Sequence, residues 1–271
     1  MRSGQLAGAV FLVFSNAAGV EVEWFMTTRS GSKNLTRMST INFQNATGDD
    51  DDAVLVEIDT AQRFQEIYGI GSSLEGSTCF NLMQLSEAAR NATLQALLDP
   101  VDGIGMNLMR ITIGTSDFAP LPFYSYDDSD DPDEDLVNFS IAPDEAFVLP
   151  ALRAALPWAA NAGGGGAGSS DGLAFFASPW SPPGWMKVGG SLQGGQFNSS
   201  FTDAFGAYLV RFVEAYAAEG IAVAALTPQN EPLQNNDAYP TTLLLPEQEA
   251  GLIAASLGPR LEAAGLDCEI W

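Results

Sequence analysis

The stretch Leu226-Thr-Pro-Gln-Asn-Glu-Pro232 decides how this chain is read. It closes Ile221-Ala-Val-Ala-Ala-Leu226, an apolar run of the kind that forms a parallel strand buried on both faces. An amide and a carboxylate, Asn230 and Glu231, then stand side by side between Pro228 and Pro232. Proline fixes φ, so the tip of this strand is stiff. Polar side chains at the C-terminal tip of a parallel strand are where an α/β barrel carries its chemistry. Alone, an Asn-Glu pair describes an ordinary polar loop; the segments around it decide the matter.

Outward from that stretch, strand-like and helix-like segments alternate from about residue 66, which predicts a parallel sheet with crossover helices. Strands are expected over Glu66–Ser72, Met106–Ile113, Leu173–Ala177, Ile221–Leu226 and Asp267–Trp271. Helices are expected over Ser86–Leu98 with Ser86 as N-cap, Glu145–Asn161 with a kink at Pro157, Phe201–Glu219 and Pro246–Ala264. The pattern is that of an incomplete (β/α)8 TIM barrel, strands one to five, over residues 66–271. Half a barrel leaves open edges, so the expectation is a fragment or a chain that finds its other half elsewhere. Val20–Thr28 and Ala53–Ile58 read as strands of a small β element over residues 20–65, with polar turns across Asn34–Asp52. Gly163–Gly172 joins a helix to a strand and is expected on the face away from the chemistry. Gly69-Ile-Gly71 lacks the third glycine of a dinucleotide fingerprint.

The chain has 11 basic and 34 acidic residues, a net charge of −23, which argues against a nucleic acid as partner. No protein partner is predicted. Asp49–Asp52 and Asp127–Asp135 read as solvated loops. The sequence has no histidine, so Ser-His-Asp and Cys-His chemistry is excluded and proton transfer falls to carboxylates, lysine or tyrosine. Cys79 and Cys268 read as buried free thiols; no metal-ligand spacing exists, and neither metal nor cofactor is expected. Met1-Arg2, Leu6–Phe14 and Ser15-Asn16-Ala17 have the outline of a signal peptide over residues 1–19, or equally of a first strand. Sequons at Asn34, Asn45, Asn91, Asn138 and Asn198 fit a secretory route, to the exterior or to a lysosome or vacuole.

Each expected strand end carries polar or aromatic side chains: Arg110 and Asp117, then Trp180 and Trp185, then Asn230 and Glu231. Tryptophans beside carboxylates and an asparagine suit a sugar, whose apolar ring faces stack and whose hydroxyls need polar partners. Arg110 lies inside an apolar strand, where an unpaired charge is costly, so a buried carboxylate partner is expected.

With Gly69-Ile-Gly71, Asn107-Leu-Met-Arg-Ile111, Ser116-Asp-Phe118, Ser178–Trp185 with Met186-Lys187, Thr227–Pro232 and Pro246-Glu-Gln-Glu249, the chain resembles glycoside hydrolase family 30 in order and spacing. The branch it looks most like is the glucosylceramidases, from about residue 65 onward. The resemblance implies a retaining β-glycosidase on a (β/α)8 barrel, with a side β-sandwich built from both chain termini. It implies Glu231 as general acid/base, Asn230 on the sugar 2-hydroxyl, and Asp117 and Trp180 on other hydroxyls. Trp185 and Tyr239 join the substrate contacts, and Arg110 orients the nucleophile. That nucleophile is a second Glu on strand seven, beyond residue 271, so the chain alone is expected to be inactive. Leu74-Glu75-Gly76 stands where the family often has Asp one place later, and Glu75 is open as its substitute. The implied substrate is a β-glucoside such as glucosylceramide, whose lipid tail would bring contact with a membrane surface. A non-catalytic carbohydrate-binding protein and an inactive fragment are the competing readings.

Overall fold

The computed structural model describes residues 19, 21–43, 59, 61–159 and 172–271. The leader-like segment, Ala53–Ile58, Asn45, Asp49–Asp52 and all of Gly163–Gly172 but its last residue lie outside them. The chain forms two compact units, Met1–Gln65 and Glu66–Trp271.

In the first unit, β1 (Glu21–Val22) pairs antiparallel with β4 (Ile41–Asn42), and β2 (Phe25–Met26) with β3 (Thr36–Arg37). Two of these strands lie in the stretch read as turns. Their side chains are mostly exposed, so no burial pattern marks them. Hydrogen bonds hold them instead: the Trp24 indole donates to the Ser39 carbonyl at 3.0 Å, and Met38 N–H to the Trp24 carbonyl at 3.0 Å.

The second unit is a five-stranded parallel sheet in the order β5-β6-β7-β8-β9, each strand beside its neighbour in sequence. The strands are β5 (Gly71–Ser73), β6 (Leu108–Ile113), β7 (Ala174–Pro179), β8 (Val223–Leu226) and β9 (Glu269–Ile270). Helices α1 (Gly76–Gln84), α2 (Glu87–Leu98), α3 (Val148–Ala159), α4 (Thr202–Ala218), α5 (Pro246–Leu252) and α6 (Gly258–Ala264) lie between the strands. This is an incomplete (β/α)8 barrel. Gly71 lets β5 approach β6: a Cβ there would fall 1.4 Å from the Leu108 carbonyl oxygen. Side chains alternate across a strand. Met109, Ile111 and Phe175 join the buried core with Leu149, Leu152, Phe205 and Leu209 of the helices. Arg110, Phe176 and Ser178 therefore point to the other face of the sheet.

Helix α2 begins as expected, Ser86 Oγ accepting from Ala89 N–H at 3.3 Å. Helix α1 was not legible, because Gly76-Ser-Thr carries weak helix propensity; burial of Cys79 and Leu82 sustains it. Pro157 sits in the last turn of α3, which ends at Ala159. The single helix expected over Pro246–Ala264 is interrupted by a π turn at Ile253–Leu257. Pro259 has no N–H to give the Ala255 carbonyl, and the backbone widens there. Cys79 is buried and Cys268 only half-buried; burial pushes both thiols up to about 12, away from the thiolate form. Among the described residues no helix is long and apolar enough to cross a membrane.

Candidate active site

The parallel register carries Arg110, Ser178 and Thr227 to one end of the sheet. Arg110 Nη2 donates to Asn230 Oδ1 at 2.7 Å, bridging from β6 to the segment after β8. Its Nε donates to Ser178 Oγ at 3.3 Å, and that hydroxyl lies 2.6 Å from Thr227 Oγ1. The guanidinium sits over the Trp180 ring, 4.5 Å from the centroid, a cation–π contact. The Trp180 indole N–H in turn donates to Asp117 Oδ1 at 3.0 Å. Arg110, Asn230, Trp180 and Asp117 thus form one connected chain of contacts. The carboxylate partner expected for Arg110 is not found: none of the ion pairs among the described residues includes it. An amide oxygen takes that place, and burial lowers the guanidinium's pKa while Glu75, Glu231 and Asp117 hold it up at longer range.

Glu231 directly follows Asn230, is exposed, and has φ +46°. A non-glycine residue in that region is strained by about 1–3 kcal/mol and persists only where its surroundings impose it. The restraints are visible. Asn230 N–H donates to the Pro179 carbonyl at 2.8 Å, and buried Gln229 Nε2 to the Trp180 carbonyl at 2.6 Å. The segment leading into Glu231 is thereby tied to the Trp180 segment at Gln229 and at Asn230.

Two of the residues read as substrate contacts stand apart. Trp185 is 8% exposed, belongs to the core against Phe201, and gives its indole N–H to the Asp127 carbonyl at 3.0 Å. Only an edge of it faces a shallow depression with Asp128, Asp130 and Leu192. Tyr239 is half-buried in the loop beyond Glu231. The acidic run is not wholly solvated either: Asp127 is 1% exposed and neither carboxylate oxygen has a hydrogen-bond partner. Burial, with Asp133 and Asp128 nearby, raises it to about 6.

Glu75, at the end of β5, is fixed at both oxygens, by Ser73 Oγ at 2.7 Å and Ser116 Oγ at 2.9 Å. Its serine partners, Ser178, Thr227 and Gln229 were not singled out from sequence. The only signal for them is their place in the motifs at the strand ends.

A parallel α/β sheet with its polar side chains gathered beyond the C-terminal strand ends defines a barrel domain whose candidate site lies on that face. The chain belongs to glycosyl hydrolase family 30: the model of that family's TIM-barrel domain matches residues 67–270. An endo-1,6-beta-D-glucanase of Neurospora crassa is 36% identical over 217 residues, 77% of this chain and 42% of that protein. The lysosomal acid glucosylceramidase of Mus musculus is 29% identical over 226 residues, 80% of this chain and 41% of that protein. Among solved structures, the endo-beta1,6-glucanase BT3312 superposes with a TM-score of 0.76 at 30% identity, over 91% of this chain and 50% of that one. The chain thus spans about half or less of the relatives it matches.

Proposed function

We propose that this chain carries the acid/base side of a β-glycosidase active site, with Glu231 as general acid/base. The observation that supports it most is the Arg110–Asn230 bond at 2.7 Å, with Glu231 held at positive φ on the next residue. Asn230 would meet the sugar 2-hydroxyl, and Asp117 with the edge of Trp180 other hydroxyls. Glu231 would protonate the glycosidic oxygen and then, as base, activate water against the glycosyl-enzyme. A retaining mechanism needs a second carboxylate about 5–5.5 Å away as nucleophile, so the activity of the whole protein is part of this proposal.

The substrate reading favoured is a β-1,6-linked glucan, since relatives named for that activity share 36% and 30% identity. Glucosylceramide is the second reading, which the mouse relative suggests at 29%. The exposed apolar side chains Phe118, Leu121, Val188 and Leu233, on loops that follow β6, β7 and β8, favour it, because a lipid aglycone would need such a rim.

The test is turnover of β-1,6-glucan and of glucosylceramide, with and without Glu231→Gln, by a protein that also carries the second carboxylate, since the acid/base side alone is expected to be inactive. Loss of a general acid costs about 10²–10⁴-fold in rate. Hydrolysis undiminished in Glu231→Gln, or no cleavage of either substrate, sinks the reading.

A further inference from the structure

Lys187 takes no part in the contacts described above, yet it is 4% exposed. Its ammonium donates to Ser181 Oγ at 3.0 Å, to the Leu192 carbonyl at 2.7 Å and to the Thr241 carbonyl at 2.8 Å. None of the ion pairs among the described residues includes it. A buried cation without a counter-ion is costly, and a neutral side chain would fill the space more cheaply. What lysine supplies is three donors at a single point.

The three acceptors come from different segments. Ser181 directly follows Trp180. Leu192 belongs to the loop after β7 and lines an open depression of about 710 Å³ with Leu121, Pro122 and Phe123. Thr241 ends the loop that starts at Glu231; its Oγ1 donates to the Asn236 carbonyl at 2.7 Å and accepts from Asn236 N–H at 2.9 Å. Single backbone bridges, Gln193 to Pro240 and Gln196 to Leu243, run alongside.

We propose that Lys187 is a positioning residue: its ammonium holds the Glu231 loop against the Trp180 segment and so sets how tightly the site grips its sugar. The inference rests on the reading that Trp180 and Glu231 face one sugar. It also gives the site a dependence on pH. Burial alone pushes Lys187 down to about 7, and the groups it touches are uncharged oxygens. An opened loop would return the side chain to water and to its ordinary, higher pKa, so opening takes up a proton and the tie tightens as pH rises through about 7.

The experiment compares wild type, Lys187→Met and Lys187→Arg between about pH 6 and pH 8.5, straddling the titration. Two readouts are taken: chymotryptic cleavage within residues 233–239, which needs no ligand, and gentiobiose affinity by tryptophan fluorescence. In the wild type, resistance and affinity both rise as pH rises. Lys187→Met is cut faster and binds at least about tenfold more weakly at every pH, the scale of losing the hydrogen bonds to three buried acceptors. Lys187→Arg, cationic throughout, shows no such pH dependence. Lys187→Met behaving as wild type overturns the proposal, as do identical pH profiles for wild type and Lys187→Arg. The second comparison decides the matter if Lys187→Met does not fold. A wild type whose cleavage follows pH but which binds no gentiobiose supports the tie and counts against the proposed function.

Discussion

An arginine on the inner face of a parallel strand must find either a counter-ion or a full set of acceptors, and Arg110 takes the second course. Asn230, Ser178 and the face of Trp180 surround it, while Glu75, Glu231 and Asp117 act on it from further off. The arrangement leaves those carboxylates without a direct ion pair: Glu75 is held by two serine hydroxyls and Asp117 by the Trp180 indole, while Glu231 is exposed. Arg110→Met should therefore release two partners at once, the Asn230 amide and the Trp180 ring. A hydrogen bond to a charged group contributes about 1.5–3 kcal/mol, so sugar affinity is expected to drop about tenfold or more. Isothermal titration with gentiobiose measures it, and unchanged affinity would remove Arg110 from the site. Charge placed inside an apolar run made Arg110 legible in the sequence, and the strand-end motifs made Asp117, Trp180, Asn230 and Glu231 legible. The partner of Arg110 was not: an amide oxygen can accept from a guanidinium where a carboxylate is expected, and only coordinates separate them. The left-handed backbone of Glu231 was hidden too, since glutamate carries no preference for it. The packing of Trp185 against the core was not legible, because a tryptophan beside a proline-rich turn packs a core as readily as a sugar.

At the scale of elements, burial patterns carried the strands and the long helices, and side-chain ties set the rest. Asp144, 1% exposed, accepts from the hydroxyls of Tyr124, Tyr126 and Tyr216, which fastens the long loop after β6 to α4. No spacing rule connects those four residues, so nothing in the sequence announced them. The contact of α4 with the π turn was equally silent. Ser256 Oγ lies 3.2 Å from both the Asp203 carbonyl and Oδ1, and Arg260 Nη2 donates to Asp203 Oδ2 at 2.6 Å. This closeness requires a glycine at position 206, where a Cβ would lie 2.1 Å from Ser256 Oγ and 3.1 Å from the Leu257 backbone nitrogen. Gly206→Ala gains helix propensity by about 1 kcal/mol but overpacks the joint at a cost of about 1–3 kcal/mol. A net loss in melting temperature is expected, and Ser256→Gly should return part of it, because the two positions share one contact. A Gly206→Ala protein as stable as wild type would show that the two helices are free to part.

For the whole molecule, the question is how a chain with a net charge of −23 keeps a buried carboxylate and a buried ammonium. Composition made the charge legible and its distribution not: Asp127 stands within a run that reads as solvent-facing, and Lys187 follows a tryptophan-rich turn. The two groups act on stability in opposite windows. Asp127 is raised to about 6 in the fold, from an ordinary carboxylate value near 3.9. The folded state thus binds more protons than the unfolded chain between these values, and stability falls as pH rises through that window. Lys187 is lowered to about 7 from about 10.4. Here the unfolded chain binds the extra proton, so stability rises with pH across that window, and the tie to the Glu231 loop tightens with it. A melting curve measured from pH 4 to pH 10 should accordingly pass through a minimum near pH 6–7. Asp127→Asn is expected to flatten the acid limb and leave the alkaline limb in place; Lys187→Met does the reverse. An acid limb that persists unchanged in Asp127→Asn would mean that other carboxylates, Asp144 first among them because burial raises it as well, govern the fall.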